Sequence, residues 1–213
     1  MEIIWYGQSC FKIKGKSATV ITDPFDPDAS GLKLPKDLTA DLVLSSHSHS
    51  DHNNTQAVLG DPLVVAGPGE YEVKGVSVIG VSTFHDNQNG SERGSNTVYN
   101  IMIDGVNIVH LGDLGHQLSE DQVEGIDQTD ILLVPVGGVY TVGTEDISKV
   151  ISQLEPRVII PMHYKIEGLK YELGDVNPFL QQMGAEGVES VPKLSITKDK
   201  LPDETQVVVL SKS

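Results

Sequence analysis

Cysteine and basic residues are both scarce in this 213-residue chain. Cys10 is the single cysteine, so an internal disulfide is excluded, and its place in a predicted strand favours a small core residue over a metal-binding thiolate. Lysine and arginine together number 15 against 30 aspartates and glutamates, a formal net charge of −15 at pH 7. Because nucleic-acid binding depends on contacts between basic side chains and phosphates, this balance argues against a nucleic-acid partner.

Long apolar segments are missing as well. The longest runs, such as Ile131–Val136, have the length of a strand and fall far short of the roughly 20 residues that a membrane-spanning helix needs. The segment Met1–Tyr6 has no basic region and no extended apolar core, so no signal peptide is visible. We therefore expect a cytoplasmic protein without a membrane partner, folded as a single domain over residues 1–213.

The most informative feature that is present is the sequence HSHSDH at positions 47–52, which places three histidines and one aspartate within six residues. Imidazole and carboxylate groups together suit a divalent first-row metal ion. The preceding segment, Asp41–Ser46, indicates a buried strand, so these side chains lie in the loop at its carboxyl end. His47 and His49 are alternate residues and can face the same way, while Asp51 and His52 turn toward a second point in space. Four ligands this crowded indicate two adjacent metal ions rather than one.

The remaining pattern indicates a mixed α/β chain. Ser119 and Gln122 have the spacing of a helix capping box, and Asp104-Gly105 is a two-residue hairpin signal. A helix that begins at Thr144 carries apolar residues at i, i+3, i+4 and i+7. Shorter helices are predicted at 53–59 and 178–183. Strands are predicted at residues 2–6, 10–13, 18–22, 42–45, 63–66, 76–84, 97–103, 106–111, 131–134, 158–160 and 206–210.

Several of these segments resemble motifs of the metallo-β-lactamase superfamily of metal-dependent hydrolases, and the resemblance covers nearly the whole chain. The HSHSDH sequence after a hydrophobic strand matches the signature of that superfamily. The motifs GPGEY, HLGD and PMHY are similar to a compact branch that includes ascorbate-6-phosphate lactonases. Four further positions match strand-end motifs of the superfamily: Asp23 in TDP, His85 in FHD, Asp113 in HLGD and His163 in PMHY.

The resemblance implies an α/β fold, a four-layer αβ/βα sandwich of two mixed β-sheets with helices outside. It also implies a dinuclear metal centre. Each implied ligand follows the carboxyl end of a predicted strand, as expected of a cleft built from loops on a rigid scaffold. The implied first site is His47, His49 and His85, and the implied second site is Asp51, His52 and His163, with Asp113 bridging both.

The chain departs from the family pattern at two places. The more familiar third motif, Gly-His-x-x-Gly-His, is absent, which makes His85 the weakest match among the ligands and His110 the first alternative. Relatives in the compact branch often carry histidine in a first-loop Gly-His-Ser sequence, whereas this chain has Gln8 at that position.

Other residues are expected to support the centre or to bind substrate. We expect Asp23 to orient a ligand histidine through a hydrogen bond rather than to bind metal itself. His110 is either a similar hydrogen-bonding support or a satisfied structural histidine. The candidates for substrate binding lie near the implied cleft: Arg93, Tyr140, Tyr164 and Lys165. For Arg93 the alternative to substrate binding is that it is simply a solvated arginine in a loop.

These expectations describe a metal-dependent hydrolase whose metal-bridging hydroxide attacks a small ester, lactone or phosphodiester, with Asp51 orienting the hydroxide and carrying its proton. Two divalent ions per chain are expected, zinc first, with manganese and iron as alternatives. The acidic chain, with Arg93 and Lys165 beside the ligands, favours a small anionic substrate. Two alternatives stay open: a nuclease or phosphodiesterase acting on RNA or nucleotides, and a non-hydrolytic metal-binding redox or sensor module. Association into homo-oligomers is also left open.

Overall fold

The structure is a computed structural model that describes residues 1–213, except for the side chain of Thr144. Its strands are β1 (Glu2–Gly7), β2 (Cys10–Lys14), β3 (Thr19–Thr22), β4 (Leu42–Ser45), β5 (Leu63–Ala66), β6 (Gly69–Val73), β7 (Val76–Phe84), β8 (Ser95–Ile103), β9 (Val106–His110), β10 (Ile131–Pro135), β11 (Val158–Met162), β12 (Leu194–Ser195) and β13 (Gln206–Val207). Its helices are α1 (Pro27–Ser30), α2 (Glu120–Ile126), α3 (Thr144–Leu154) and α4 (Asn177–Gln182), with 3₁₀ turns at Thr55–Ala57 and Lys198–Lys200.

The first β-sheet has the strand order β12-β1-β2-β3-β4-β5. The strands from β12 to β3 pair antiparallel, whereas β3, β4 and β5 pair parallel. Val20 in β3 lies opposite Leu42 in β4. Because parallel strands end at the same edge of a sheet, the residues that follow β3 and β4 are brought side by side.

The second β-sheet has the strand order β13-β11-β10-β9-β8-β7-β6. Strands β6 to β9 pair antiparallel in sequence, and β9, β10, β11 and β13 are parallel. Both β7 and β9 run opposite to β8, so β7, β9 and β11 all end at one edge. His85, Asp113 and His163 follow those three ends.

The two sheets pack face to face over one large hydrophobic core. Trp5 and Phe11 from the first sheet and Tyr99 from the second are among its largest fully buried side chains. The Tyr99 hydroxyl also links the sheets, since it donates a hydrogen bond to the Ser45 carbonyl at 2.9 Å. A smaller core on the other face of the first sheet contains Cys10, and burial raises the pKa of its thiol. The expected core role of this cysteine is confirmed.

The expected α/β sandwich of two mixed sheets is confirmed, although its helices are few and short. The amphipathic helix is confirmed as α3, in which Ile147, Val150, Ile151 and Leu154 are buried. The predicted capping box is present at the start of α2, where the Ser119 hydroxyl accepts from the Gln122 N–H and the Gln122 side chain accepts from the Ser119 N–H. None of the described helices is both long and apolar enough to cross a bilayer.

Several segments differ from the sequence-based expectation, among them helix α1 and strand β12, which were not predicted. The helix expected at 53–59 is a single 3₁₀ turn, Thr55–Ala57. Strand β6 has no counterpart among the predicted strands because it is short, follows Gly67-Pro68 and begins with glycine, although Tyr71 and Val73 do alternate with exposed glutamates. The closing strand β13 covers only Gln206–Val207, since the following residues pair with the main chain outside a regular ladder.

Two glycines let the loops that follow neighbouring strands approach each other closely. A Cβ atom at Gly115 would lie 2.2 Å from the main-chain nitrogen of Asp86, and one at Gly137 would lie 2.3 Å from the carbonyl oxygen of His163. Both contacts are with backbone, so no flexible side chain can move aside. A side chain at either position would displace the strand end that carries His85 or His163.

Gly115→Ala should therefore lower the free energy of unfolding by about 1–3 kcal/mol, the usual cost of overpacking, because its Cβ pushes against the backbone of Asp86. Gly125→Ala is the matched control. Gly125 lies in α2, and its added Cβ reaches only ordinary contact with Val81 at 3.4 Å. Removing a helical glycine should raise stability by roughly 0.5–1 kcal/mol. Urea denaturation at pH 7 measures both effects, and a Gly115→Ala variant as stable as the wild type would contradict the close packing.

Candidate metal centre and substrate cleft

All seven candidate ligands lie together at one edge of the sandwich. They follow the ends of four strands drawn from both sheets: β4, β7, β9 and β11. Their side chains form groups in which the ligand atoms lie within 4.8 Å of one another. We call His47, His49 and His85 the first cluster, and Asp51, His52 and His163 the second cluster.

Asp113 lies between the two clusters. Its Oδ2 is 3.2 Å from Nε2 of His85 in the first cluster and 3.3 Å from Nε2 of both His52 and His163 in the second. The side chain is buried, which by itself disfavours the charged form. The surrounding imidazoles, His163 first, outweigh burial and hold the pKa of Asp113 well below its usual range. A negative charge is therefore held where the clusters meet.

Asp23 supports the centre from behind, at the end of β3. Its Oδ2 accepts hydrogen bonds from His52 Nδ1 at 2.7 Å and from the Ser46 hydroxyl at 2.6 Å, and its Oδ1 accepts from the Ser46 N–H at 2.7 Å. The Ser46 hydroxyl oxygen also lies 3.0 Å from His47 Nδ1. Because Nδ1 of each imidazole is engaged, the Nε2 atoms of His47 and His52 face the centre. Asp23 thus occupies the position that an orienting carboxylate requires.

The imidazoles differ in how readily they bind a proton. Burial, with His52 beside it, lowers the pKa of His47 to about 3, so this ring is neutral at pH 7 and offers a lone pair. At His52 burial also opposes the charge, but Asp113 and Asp23 outweigh it and raise the pKa well above the usual value. The carboxylates therefore favour a positive charge at His52, and a metal ion would take the place of that proton.

Unpaired buried atoms indicate that this edge is built to hold cations. Although two of the imidazoles approach Asp113 to 3.3 Å, their angles are not those of hydrogen bonds. An unsatisfied buried polar group costs roughly 1–3 kcal/mol, and metal coordination would satisfy several at once. Imidazole nitrogens combined with carboxylate oxygens suit Zn²⁺ and other first-row ions, so the residues fit a divalent metal centre. Among the seven candidate ligands the unpaired buried atoms are His52 Nε2, His85 Nδ1, His163 Nδ1 and Nε2, and Asp113 Oδ1.

His110 does not join either cluster. Its Nε2 donates to the Ser9 carbonyl at 2.8 Å, and its Nδ1 accepts from the Gly112 N–H at 3.1 Å. Both ring nitrogens are therefore used by the main chain, and burial lowers the pKa of this imidazole. Of the two roles considered for His110, the structural one matches this geometry. His110 was the alternative to His85 as a ligand, but the structure brings His85, and not His110, to the first cluster.

A cleft of about 370 Å³ opens over the clusters. Arg93, Tyr140 and Tyr171 line it beside the candidate ligands. The guanidinium carbon of Arg93 lies 4.9 Å from the centre of the Tyr140 ring, which is a cation–π contact. The ion pairs among the described residues involve lysines, histidines and the amino terminus and leave Arg93 without a carboxylate partner. A second cavity of about 350 Å³ adjoins the cleft and shares the wall formed by Arg93 and Tyr140.

Arg93 is carried by a loop that Asp86 organises. The Asp86 carboxylate accepts four main-chain hydrogen bonds, from Gln88 and Gly90 at Oδ1 and from Glu92 and Arg93 at Oδ2. Burial alone would raise the pKa of Asp86, but these N–H groups, that of Arg93 first, lower it to about 2. The charged carboxylate therefore fixes the path of the loop and the place from which Arg93 extends.

Two of the expected substrate-binding residues lie elsewhere. Tyr164 is buried against Trp5, with ring centres 5.0 Å apart, and burial raises its pKa to about 12. Lys165 is exposed and does not line the cleft. Tyr171, which no sequence motif identifies, lies in the cleft with its hydroxyl 3.5 Å from the Ser50 hydroxyl. Ser46 also lacks a motif of its own, although its place directly before His47 is a usable signal.

Two mixed sheets with histidines and aspartates converging from four strand ends define a metallo-hydrolase type of protein. Known sequences agree with this class. The family model described as the beta-lactamase superfamily domain matches residues 2–163. The chain belongs to the metallo-β-lactamase superfamily and is a metal-dependent hydrolase, so the expectation from the motifs is confirmed.

Relatives of similar length support this assignment. A crystal structure from Thermotoga maritima, described as a candidate Zn-dependent hydrolase of the metallo-β-lactamase superfamily, is 41% identical, with a TM-score of 0.82 over 98% of this chain and 97% of that one. A UPF0173 metal-dependent hydrolase from Thermoplasma acidophilum is 30% identical over 187 residues, 77% of this chain and 83% of the relative. A UPF0173 protein from Pyrococcus abyssi is 32% identical over 198 residues, 81% of this chain and 90% of the relative.

Replacing the carboxylate that organises the Arg93 loop should loosen that loop alone. In Asp86→Asn, a neutral amide accepts hydrogen bonds more weakly than the carboxylate, so the four main-chain N–H groups should exchange with solvent about 10-fold faster or more. Hydrogen exchange followed by mass spectrometry measures this over residues 88–93. The control is Asp146→Asn, a carboxylate on the adjoining cavity whose hydrogen-bond partners among the described side chains are Gln117 and Lys149. Unchanged exchange in Asp86→Asn would contradict the organising role.

Proposed function

We propose that the chain is a dinuclear hydrolase that cleaves a small anionic ester, lactone or phosphodiester. The observation that carries this proposal is the position of Asp113, whose Oδ2 lies 3.2–3.3 Å from imidazole nitrogens of both clusters. A carboxylate that faces two groups of ligands has the position of a bridging ligand. From that position Asp113 would hold two ions close to one another, as hydrolysis with two metals requires. The relatives named metal-dependent hydrolases support the reaction class.

Two divalent ions, when bound, would lower the pKa of a water molecule and polarise a carbonyl or phosphoryl oxygen of the substrate. The chain supplies two unlike positions for them. The first cluster offers only imidazoles, whereas the second adds the carboxylate of Asp51. Zinc is the proposed metal because it accepts mixed nitrogen and oxygen ligands, with manganese and iron as alternatives. The description of the Thermotoga maritima relative supports zinc.

Asp51 is the proposed catalytic residue, which orients the attacking water and carries its proton. It lines the cleft and remains partly exposed, and its Oδ2 lies 3.5 Å from His52 Nε2 and 3.8 Å from His163 Nε2. Burial opposes its negative charge, but His52 outweighs burial and lowers the pKa of Asp51, so the carboxylate is ionised at pH 7 and able to accept a proton. Positioned acid–base groups contribute roughly 10²- to 10⁴-fold to rate.

Arg93 is the proposed contact for the anionic part of the substrate. Its guanidinium group lies at the cleft above Tyr140 and has no ion-pair partner among the described residues. The net charge of −15 repels a long polyanion, whereas a small anion can reach Arg93 and the centre. This favours a phosphorylated lactone, a similar small ester or a cyclic phosphodiester over RNA.

Removal of Asp113 should release metal from both clusters. We expect close to two ions per wild-type chain and, in Asp113→Asn, a loss of affinity of at least about 100-fold for both ions, because the bridging charge is gone. Elemental analysis after dialysis gives the metal content. The matched control is Asp130→Asn, since Asp130 is also buried but pairs with Lys198 at 2.7 Å, away from the centre. Full hydrolytic activity after exhaustive chelation would rule out the metal-dependent mechanism.

Loss of the guanidinium group should affect anionic compounds selectively. Arg93→Ala should raise KM for phosphorylated lactones and model phosphodiesters by roughly 10-fold or more, because a charge-assisted hydrogen bond is lost. The KM for neutral esters should stay unchanged. Steady-state kinetics with matched charged and neutral compounds measures this. The control is Arg157→Ala, because Arg157 contacts the Pro202 carbonyl far from the cleft. Efficient, salt-sensitive RNA cleavage without turnover of small molecules would favour the nuclease alternative instead.

A further inference from the structure

Gln8 is a fully buried amide in the turn between β1 and β2. Its φ of 48° and the φ of 108° at Gly7 bend the chain back sharply, and a Cβ at Gly7 would lie 2.7 Å from Leu32 Cδ1. The turn is therefore pressed against the body of the protein, with the Gln8 side chain directed inward.

The side chain of Gln8 contacts the second cluster directly. Its Nε2 donates a hydrogen bond to Asp51 Oδ2 at 3.0 Å. An ionised carboxylate only accepts hydrogen bonds, so the amide must present its nitrogen rather than its oxygen to Asp51. This bond fixes the carboxylate that we propose as the catalytic residue.

The main chain of Gln8 contacts a second member of the same cluster. The Gln8 carbonyl accepts the main-chain N–H of His163 at 3.1 Å and the indole N–H of Trp5 at 2.8 Å. His163 has a φ of 52°, so its backbone is held in an uncommon conformation at the end of β11. One residue thus restrains both Asp51, through its side chain, and His163, through its backbone.

The Gln8 amide also carries an unsatisfied atom. Its Oε1 is buried and has no hydrogen-bond partner among the described residues. A buried amide with an unpaired oxygen costs free energy that a well-packed apolar side chain of similar size would not. The contacts of Gln8 are therefore better explained by the geometry of the cluster than by stability.

We propose that Gln8 is a positioning residue for the second cluster and sets the affinity of that cluster for its metal ion. This inference rests on the proposed dinuclear function. The amide holds Asp51 at a fixed distance from His163, so the two ligands are already in place before an ion binds. Without the amide, Asp51 is free to turn toward solvent in the cleft. Binding of a metal ion must then also order this side chain, and the entropy cost of doing so lowers the affinity. No hydrogen bond joins Gln8 to His47, His49 or His85, and His47 of the first cluster has its own support from Ser46.

Titration of the metal-free protein with Co²⁺ tests this without any need for turnover, because the visible absorption of Co²⁺ reports ligand geometry. The wild type should bind Co²⁺ in two phases. The phase lost in His163→Ala belongs to the second cluster, and the phase lost in His85→Ala belongs to the first. In Gln8→Met, which keeps the length of the side chain but lacks the N–H donor, the second-cluster phase should weaken by about 10- to 100-fold. The Co²⁺ affinity of the first-cluster phase should stay within roughly 3-fold of wild type. That change is small compared with the roughly 10- to 100-fold loss of affinity that removal of a supporting hydrogen bond usually causes.

Two further variants separate the hydrogen bond from the packing. Gln8→His restores a ring N–H donor and should recover most of the lost affinity. Gln8→Asn keeps the amide but shortens its reach, so it should show the same selective weakening even if Gln8→Met fails to fold. The matched control is Asn100→Leu, because Asn100 is also a buried amide with an unpaired oxygen, bonded to the Ile126 and Gln128 carbonyls away from the centre. It should lower the melting temperature and leave both phases intact.

The outcomes distinguish the two levels of the proposal. A wild type that binds no Co²⁺, or binds it in a single phase, would overturn the dinuclear function itself. Two phases in the wild type with an unchanged second phase in Gln8→Met and Gln8→Asn would overturn the role of Gln8 alone. Equal weakening of both phases in these variants would also overturn it, because the effect would then be one of general stability.

Discussion

A buried carboxylate among imidazoles is the interaction on which the rest of this structure depends. Asp113 is almost fully enclosed, and a charge in that position is tolerated only because nitrogens of His52, His85 and His163 surround one of its oxygens. Those three histidines come from different strands, so the sheets must be packed in one register for the charge to be compensated. Fold and chemistry are coupled here: an error in the packing of the two sheets would leave a charge buried alone.

The support around the ligands is organised as two unequal halves. Behind the centre, the buried Asp23 and Ser46 fix the buried His52 and the half-buried His47 through hydrogen bonds. On the cleft side, Asp51 and His49 are partly or fully exposed, and Asp51 depends on a single amide donor. Under the proposed function, the rigid half would hold the ions in place and the open half would face the substrate. Exposure thus increases from the orienting carboxylate toward the proposed catalytic one.

Local pattern singled out the candidate ligands because each lies in the loop that follows a strand, where a short motif records both the residue type and its place. The HSHSDH sequence and the motifs around His85, Asp113 and His163 required no knowledge of distant contacts. Tyr164 shows where local pattern stops: it directly follows a candidate ligand, yet its ring packs in the core against Trp5 of the distant strand β1, a contact that no motif records. Tyr171 lies on a connection without periodicity, and only long-range packing brings it to the cleft.

The loop held by Asp86 has a consequence for how this scaffold diversifies. Four main-chain N–H groups of this loop donate to the single carboxylate of Asp86, and Arg93 lies at the far end of the loop. The loop can therefore change in length or sequence beyond Asp86 while the strand end carrying His85 stays where it is. If Arg93 binds the substrate as proposed, substrate preference would in this way be separable from the metal chemistry. A lineage of such proteins could exchange one recognition segment for another and retain the same reaction.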